Sequence, residues 1–138
     1  MKACVLDTSV VVSGFLKPPA PPAHLLSAFF ARRLRLVYDS RMLTEYGEAL
    51  ARPEFSISQH DCIGFLLMLR TSGEVLKPPP VALDLPDPDD LPFIETGLAS
   101  AEKIVVTKNF SHFEPAAKLG LQILSPAAAM SQLGESAL

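Results

Sequence analysis

Short apolar runs separated by helical stretches recur along the chain, and no other feature limits its fold as tightly. Residues 2–7 (KACVLD), 34–40 (LRLVYDS), 103–107 (KIVVT) and 119–125 (LGLQILS) are apolar runs too short for a helix, and 74–77 (EVLK) is briefer still. Such runs suit strands buried in a parallel sheet. Helical signals lie between them. "PPAHLLSAFFARR" from Pro21 has proline at its start and arginines in its last turn. "SRMLTEYGEALARPEF" has Ser40 as its expected N-cap, and Pro53 stops it near Arg52. "SISQHDCIGFLLMLRTSG" has Ser58 as N-cap and Gly73 past its end. Residues 91–102 form a helix with Asp89 or Asp90 at its cap, and a terminal helix starts at Pro126. The irregular "PPPVALDLPDPDD" reads as a loop, because three successive prolines exclude a helix. Strands alternating with helices predict an α/β chain, a three-layer α/β/α sandwich on a mostly parallel sheet.

Length and composition narrow the class. At 138 residues the expectation is a single domain spanning 1–138. No apolar run approaches the ~18–20 residues of a membrane span, and the amino terminus lacks the regions of a signal peptide. Cys4 and Cys62 lie in apolar segments without metal-ligand spacing, so they are expected as buried thiols in a reducing cytoplasm. A net charge of −3 argues against a basic nucleic-acid-binding module. It argues less against a nuclease, whose own metal-binding carboxylates lower the total.

The placement of those acids carries more. Sites in parallel sheets form outside the carboxyl ends of the strands. Asp7 ends the first run, so it either caps the next helix or holds its charge for chemistry. Glu45 lies about one turn into the helix after the second strand, with Glu48 a turn further on. Asp90, with Asp87 and Asp89, opens the helix before "KIVVT", and "TKNFSHF" leaves that strand. Three carboxylates meeting at one edge need a counter-charge, and a hard divalent cation prefers such oxygen ligands. Few His or Cys residues compete, which disfavours zinc. A carboxylate-held Mg2+ or Mn2+ serves phosphodiester hydrolysis.

In order and spacing, "VLDTSVVVSGF", "SRMLTEYGEALARPEF", "DPDDLPFIETGLA" and "IVVTKNF" resemble the PIN-domain nucleases, nearest to the VapC-like toxins of prokaryotic type II toxin–antitoxin pairs. The resemblance covers nearly the whole chain. It implies an α/β/α sandwich, Mg2+- or Mn2+-dependent cleavage of single-stranded RNA, a homodimer and a cognate antitoxin. Asp7, Glu45 and Asp90 match the family's acids and are implied as metal ligands and catalytic residues. Thr8 and Ser9 match the hydroxyl-bearing turn, Thr107 matches the strand-end hydroxyl, and Asp87 and Asp89 are supporting loop acids. Asn109, also implied as catalytic, stands where many members carry a fourth acid, offering a carbonyl oxygen without charge.

Plainer roles stand beside these. Asp7 and the "DPDD" acids are ordinary caps and turn residues, Glu45 a solvated helix residue, and Asn109 a turn residue. His112 is structural or substrate-facing. Arg32, Arg33 and Arg35 read as a solvated helix end, while Arg41 and Lys108 are candidates for gripping RNA. The stripe of "HLLSAFF" reads as core or as a dimer or antitoxin surface. A receiver-like phospho-acceptor would need Asp39 as its phosphorylated acid, and a PIN fold that has lost activity would leave a binding module.

Overall fold

The strands and helices alternate as expected. The computed structural model describes residues 2–137, with side chains described through Leu133. β1 (Lys2–Leu6) is followed by α1 (Thr8–Leu16), α2 (Pro21–Phe30), β2 (Leu34–Tyr38), α3 (Ser40–Leu50), α4 (Gln59–Ser72) and β3 (Glu74–Val75). Then come α5 (Leu91–Ala99), β4 (Ile104–Val106), α6 (Phe110–Phe113), β5 (Gln122–Leu124) and α7 (Pro126–Ala137). Three 3-10 turns, Pro53–Phe55, Pro88–Asp90 and Glu114–Leu119, join them.

All pairings in the five-stranded sheet are parallel, in the order β3-β2-β1-β4-β5. Successive strand residues point to opposite faces, yet Cys4, Val5 and Leu6 of β1 and Ile104, Val105 and Val106 of β4 are all buried. Both faces are therefore covered by helices, and the fold is an α/β/α sandwich. The chain adds β2 and β3 on one side of β1, then crosses to add β4 and β5 on the other. The gap between the carboxyl ends of β1 and β4 is the switch point where such sheets open a crevice.

Local chemistry accounts for the boundaries. Asp39, not Ser40, caps α3: its carboxylate accepts from the Met42 N–H at 2.9 Å, so β2 ends at Tyr38. Ser58 caps α4 by accepting from the Asp61 N–H, and Gly73 closes that helix. β5 is shorter than the run at 119–125, because residues 114–119 form a 3-10 turn ended by Gly120 in the left-handed region, φ 102°. Leu25, Leu26 and Phe29 of the "HLLSAFF" stripe belong to the core, whereas Phe30 is 42% exposed. Phe65 of α4 packs edge-on to Phe15, Phe29 and Tyr46, joining α1, α2, α3 and α4. Cys4 is buried, and Cys62 is only half-buried, its thiol donating to the Leu50 carbonyl. No helix among the described residues is long and apolar enough to cross a membrane.

Candidate functional site

Asp7 stands at the switch point. Its N–H extends the sheet by donating to the Val106 carbonyl at 2.9 Å, which fixes the residue just beyond β1 and β4. It occupies the N-cap position of α1, yet its side chain makes no capping hydrogen bond. Instead Oδ2 accepts from Ser9 Oγ and from Thr107 Oγ1, each at 2.9 Å. Thr107 Oγ1 in turn accepts from the Asn109 N–H at 2.9 Å, tying the loop after β4 to Asp7. At 5% exposure, burial pushes the Asp7 carboxyl above its ordinary range, and the two hydroxyls pull it part of the way back.

Glu45 reaches the same place from α3. The Thr8 hydroxyl donates to its Oε2, linking the first turn of α1 to the second turn of α3. Partial burial raises its pKa, Thr8 opposes that rise, and the negative charge of Asp7, then of Asp89 and Asp87, adds to it. Its neighbour Tyr46 faces the core, fully buried, and its hydroxyl donates to the Leu6 carbonyl immediately before Asp7. This support was not legible beforehand. The only signal is a tyrosine beside a helical acid at the spacing that turns one inward and the other toward the rim.

Asp90 heads α5 without capping it. The turn is closed by Asp87, whose carboxylate accepts from the Asp89 N–H at 3.0 Å. Asp90 is pushed up to about 6, first by burial and then by Asp7 and Asp87, with Glu45 adding and His112 opposing. Its Oδ2 is buried and accepts no hydrogen bond. His112 Nδ1 lies 3.6 Å from it, beyond hydrogen-bond range.

The charge of Asp7 thus adds to the rise in pKa of both Glu45 and Asp90, and Glu45 adds to that of Asp90, so three acids far apart in the chain meet in one neighbourhood. Thr8, Ser9 and Thr107 surround them with hydroxyls. Asp89 and Asp87 add charge from the loop. Asn109 is exposed, and its side chain caps nothing.

Arg41 and Lys108 are turned elsewhere. Arg41 Nη2 lies 2.6 Å from Asp39 Oδ2 and Nη1 2.9 Å from Glu95 Oε1. Glu95, itself buried, also accepts from the Val81 N–H at 2.7 Å, so one side chain ties the proline-rich loop, α5 and α3 together. Asp39 is consumed in this network and in its cap, and is 4% exposed at the end of the second strand rather than the middle one. That position does not suit a phospho-acceptor. Lys108 Nζ donates to Ser13 Oγ of α1 at 2.8 Å.

The donor set fits a hard divalent ion. It is all oxygen, its members repel one another, and Asp90 presents a buried oxygen with no partner. The one softer donor beside the acids among the described residues is His112, since the Cys4 thiol is buried and pushed up to about 12. Among the described residues no three of Asp, Glu, His or Cys stand together closely enough to hold a metal ion as they are placed. Glu45 is engaged by Thr8.

A family model described as PIN domain matches residues 3–111. No curated protein matches the chain. The matched span runs from β1 to α6 and so includes each of the acids above.

Proposed function

Since the chain belongs to the PIN-domain family, a family of nucleases that generally use divalent metal ions, we propose that it is an endoribonuclease cutting single-stranded RNA. In this reading residues 1–138 form a single PIN-like domain, and Asp7, Glu45 and Asp90 hold Mg2+ or Mn2+. The buried, partnerless Oδ2 of Asp90 carries the reading, together with the charge of Asp7 that raises both Glu45 and Asp90, because they mark a place that demands positive charge. When bound, such an ion neutralises charge building up on the scissile phosphodiester.

The protein's own groups prepare the place. Ser9 and Thr107 donate to Asp7 and oppose the rise in pKa that its burial causes. Thr8 holds Glu45, and Thr107 also fixes the backbone of Asn109, whose neutral carboxamide stands at the rim in place of a fourth charge. Asp87 shapes the turn that delivers Asp90. The biological role we assign is the cytoplasmic toxin of a type II toxin–antitoxin pair, with a cognate antitoxin and a second copy of the chain as partners. Ile63 and Leu67, one turn apart on α4 and more than half exposed, offer apolar surface for a protein contact.

Cleavage of a mixed single-stranded RNA pool in Mn2+, comparing wild type with Asp90→Asn, tests the nuclease reading. Wild-type cleavage abolished by EDTA and by the substitution is the expected result. Folded protein that cuts at no metal concentration would leave a PIN-fold binding module instead.

A further inference from the structure

The rim of the carboxylate site is short of free cations. Arg41 is held by Asp39 and Glu95, and Lys108 is turned onto Ser13. Lys77 follows β3, two strands away from β1. Arg32, Arg33 and Arg35 gather around the amino end of β2, where Arg32 and Arg35 line a cavity of about 150 Å³ at the opposite edge of the sheet. A polyanion approaching Asp7, Glu45 and Asp90 therefore meets acids and few unengaged bases.

It does meet an uncovered ring. Phe110 opens α6 directly after Asn109, is 54% exposed and stands outside the core cluster. Thr107, three residues earlier, donates to Asp7, so the Phe110 backbone lies within about 11 Å of a residue touching the candidate site. From the same short helix, His112 sits against Asp90 with its own side chain 42% exposed.

We propose that Phe110 is a stacking platform for one nucleobase of the substrate, so that this nuclease grips single strands by their bases more than by their phosphates. The inference rests on the nuclease reading and extends it to the mode of substrate recognition. An aromatic face accepts any base, but only one that is unpaired and free to splay out. Single-strand selectivity would then arise at the ring, while the carboxylates supply the chemistry.

The test is steady-state cleavage of a short single-stranded RNA in Mn2+ by wild type and by Phe110→Ala, Phe110→Leu and Phe110→Tyr. Binding of the same RNA is measured in the Asp90→Asn background at two salt concentrations. Phe110→Ala should raise KM and Kd between about 5-fold and 160-fold, the range spanned by one lost stacked base, with kcat unchanged. Phe110→Tyr should restore binding, Phe110→Leu should not, and Kd should change little with salt. A KM for Phe110→Ala equal to wild type overturns the proposal. So does full rescue by leucine, which would make the ring plain apolar contact, or a loss of self-association with RNA binding intact, which would make it a protein interface. These outcomes require a wild type that cuts RNA. A wild type that neither cuts nor binds single strands overturns the nuclease reading itself, and this inference with it.

Discussion

Asp90 shows how a single carboxyl couples function to stability. Its pKa of about 6 lies above the roughly 3.9 of an unfolded aspartate, so the folded protein holds that proton more tightly than the unfolded chain does. The stability this contributes is fully present below about pH 4 and is lost as pH rises through about 6. Asp7 and Glu45, also raised, act in the same direction. Asp90→Asn removes one charge from the cluster and makes the oxygen's neighbour a donor. Metal-free Asp90→Asn should therefore melt a few degrees above wild type at pH 7, and the difference should shrink toward pH 4. Parallel melting curves for the two proteins across that range would show that the carboxylates do not share a field. The sequence shows where Asp7 and Thr107 lie, because acids and hydroxyls at strand ends follow from a parallel sheet, and where Asp90 lies, because an acid after a proline turn heads the next helix. It does not show that Thr8 engages Glu45 or that Arg41 is claimed by Asp39 and Glu95. Those contacts join residues far apart in the chain, and pairing across such distances leaves no local pattern.

The elements tell a similar story with different exceptions. β1, β2 and β4 are legible because continuous apolar runs of that length have few other uses, and Ser58 and Gly73 bound α4 as their chemistry requires. α1 has no such signature. Val10, Val11, Val12, Ser13 and Gly14 are all buried, and a helix buried around most of its circumference carries no polar stripe to betray its period. Gly14 is there for closeness: a Cβ at that position would lie 2.4 Å from Leu26 Cδ1, so α2 approaches α1 only over a bare backbone. The proline-rich loop owes its placement to Glu95 and, through it, to Arg41. Arg41→Ala would leave Asp39 and Glu95, 4% and 3% exposed, without their cation. Arg41 itself is 47% exposed and water can partly replace it, so the expected cost is about 1–2 kcal/mol. Arg41→Lys should recover part of it, since lysine keeps the charge but not the forked geometry. Urea unfolding of the three proteins measures this. A midpoint for Arg41→Ala within error of wild type would mean that the network holds neither α5 nor the loop in place.

At the scale of the whole molecule, topology decides where chemistry can happen. Crossing from β3 to β4 opens the sheet beside β1, and β1, α3, the turn before α5 and the end of β4 each deliver one part of the cluster there. No element binds an ion alone, so occupancy of the site should be inseparable from folding. A ligand that binds only the folded state adds stability in proportion to its saturation, about 2.7 kcal/mol at 100 times its Kd. For a chain of this length that corresponds to a rise in Tm of roughly 5–10 °C. Mn2+ should therefore raise the Tm of wild type by that amount at neutral pH, and EDTA should reverse it. Asp90→Asn should respond weakly, although it starts from the more stable metal-free state. The two effects have opposite signs because they have one cause: three carboxylates are crowded together at a cost, and a cation removes it. If Mn2+ raised the Tm of both proteins equally, the ion would be bound elsewhere, and Asp7, Glu45 and Asp90 would be a strained cluster without a ligand.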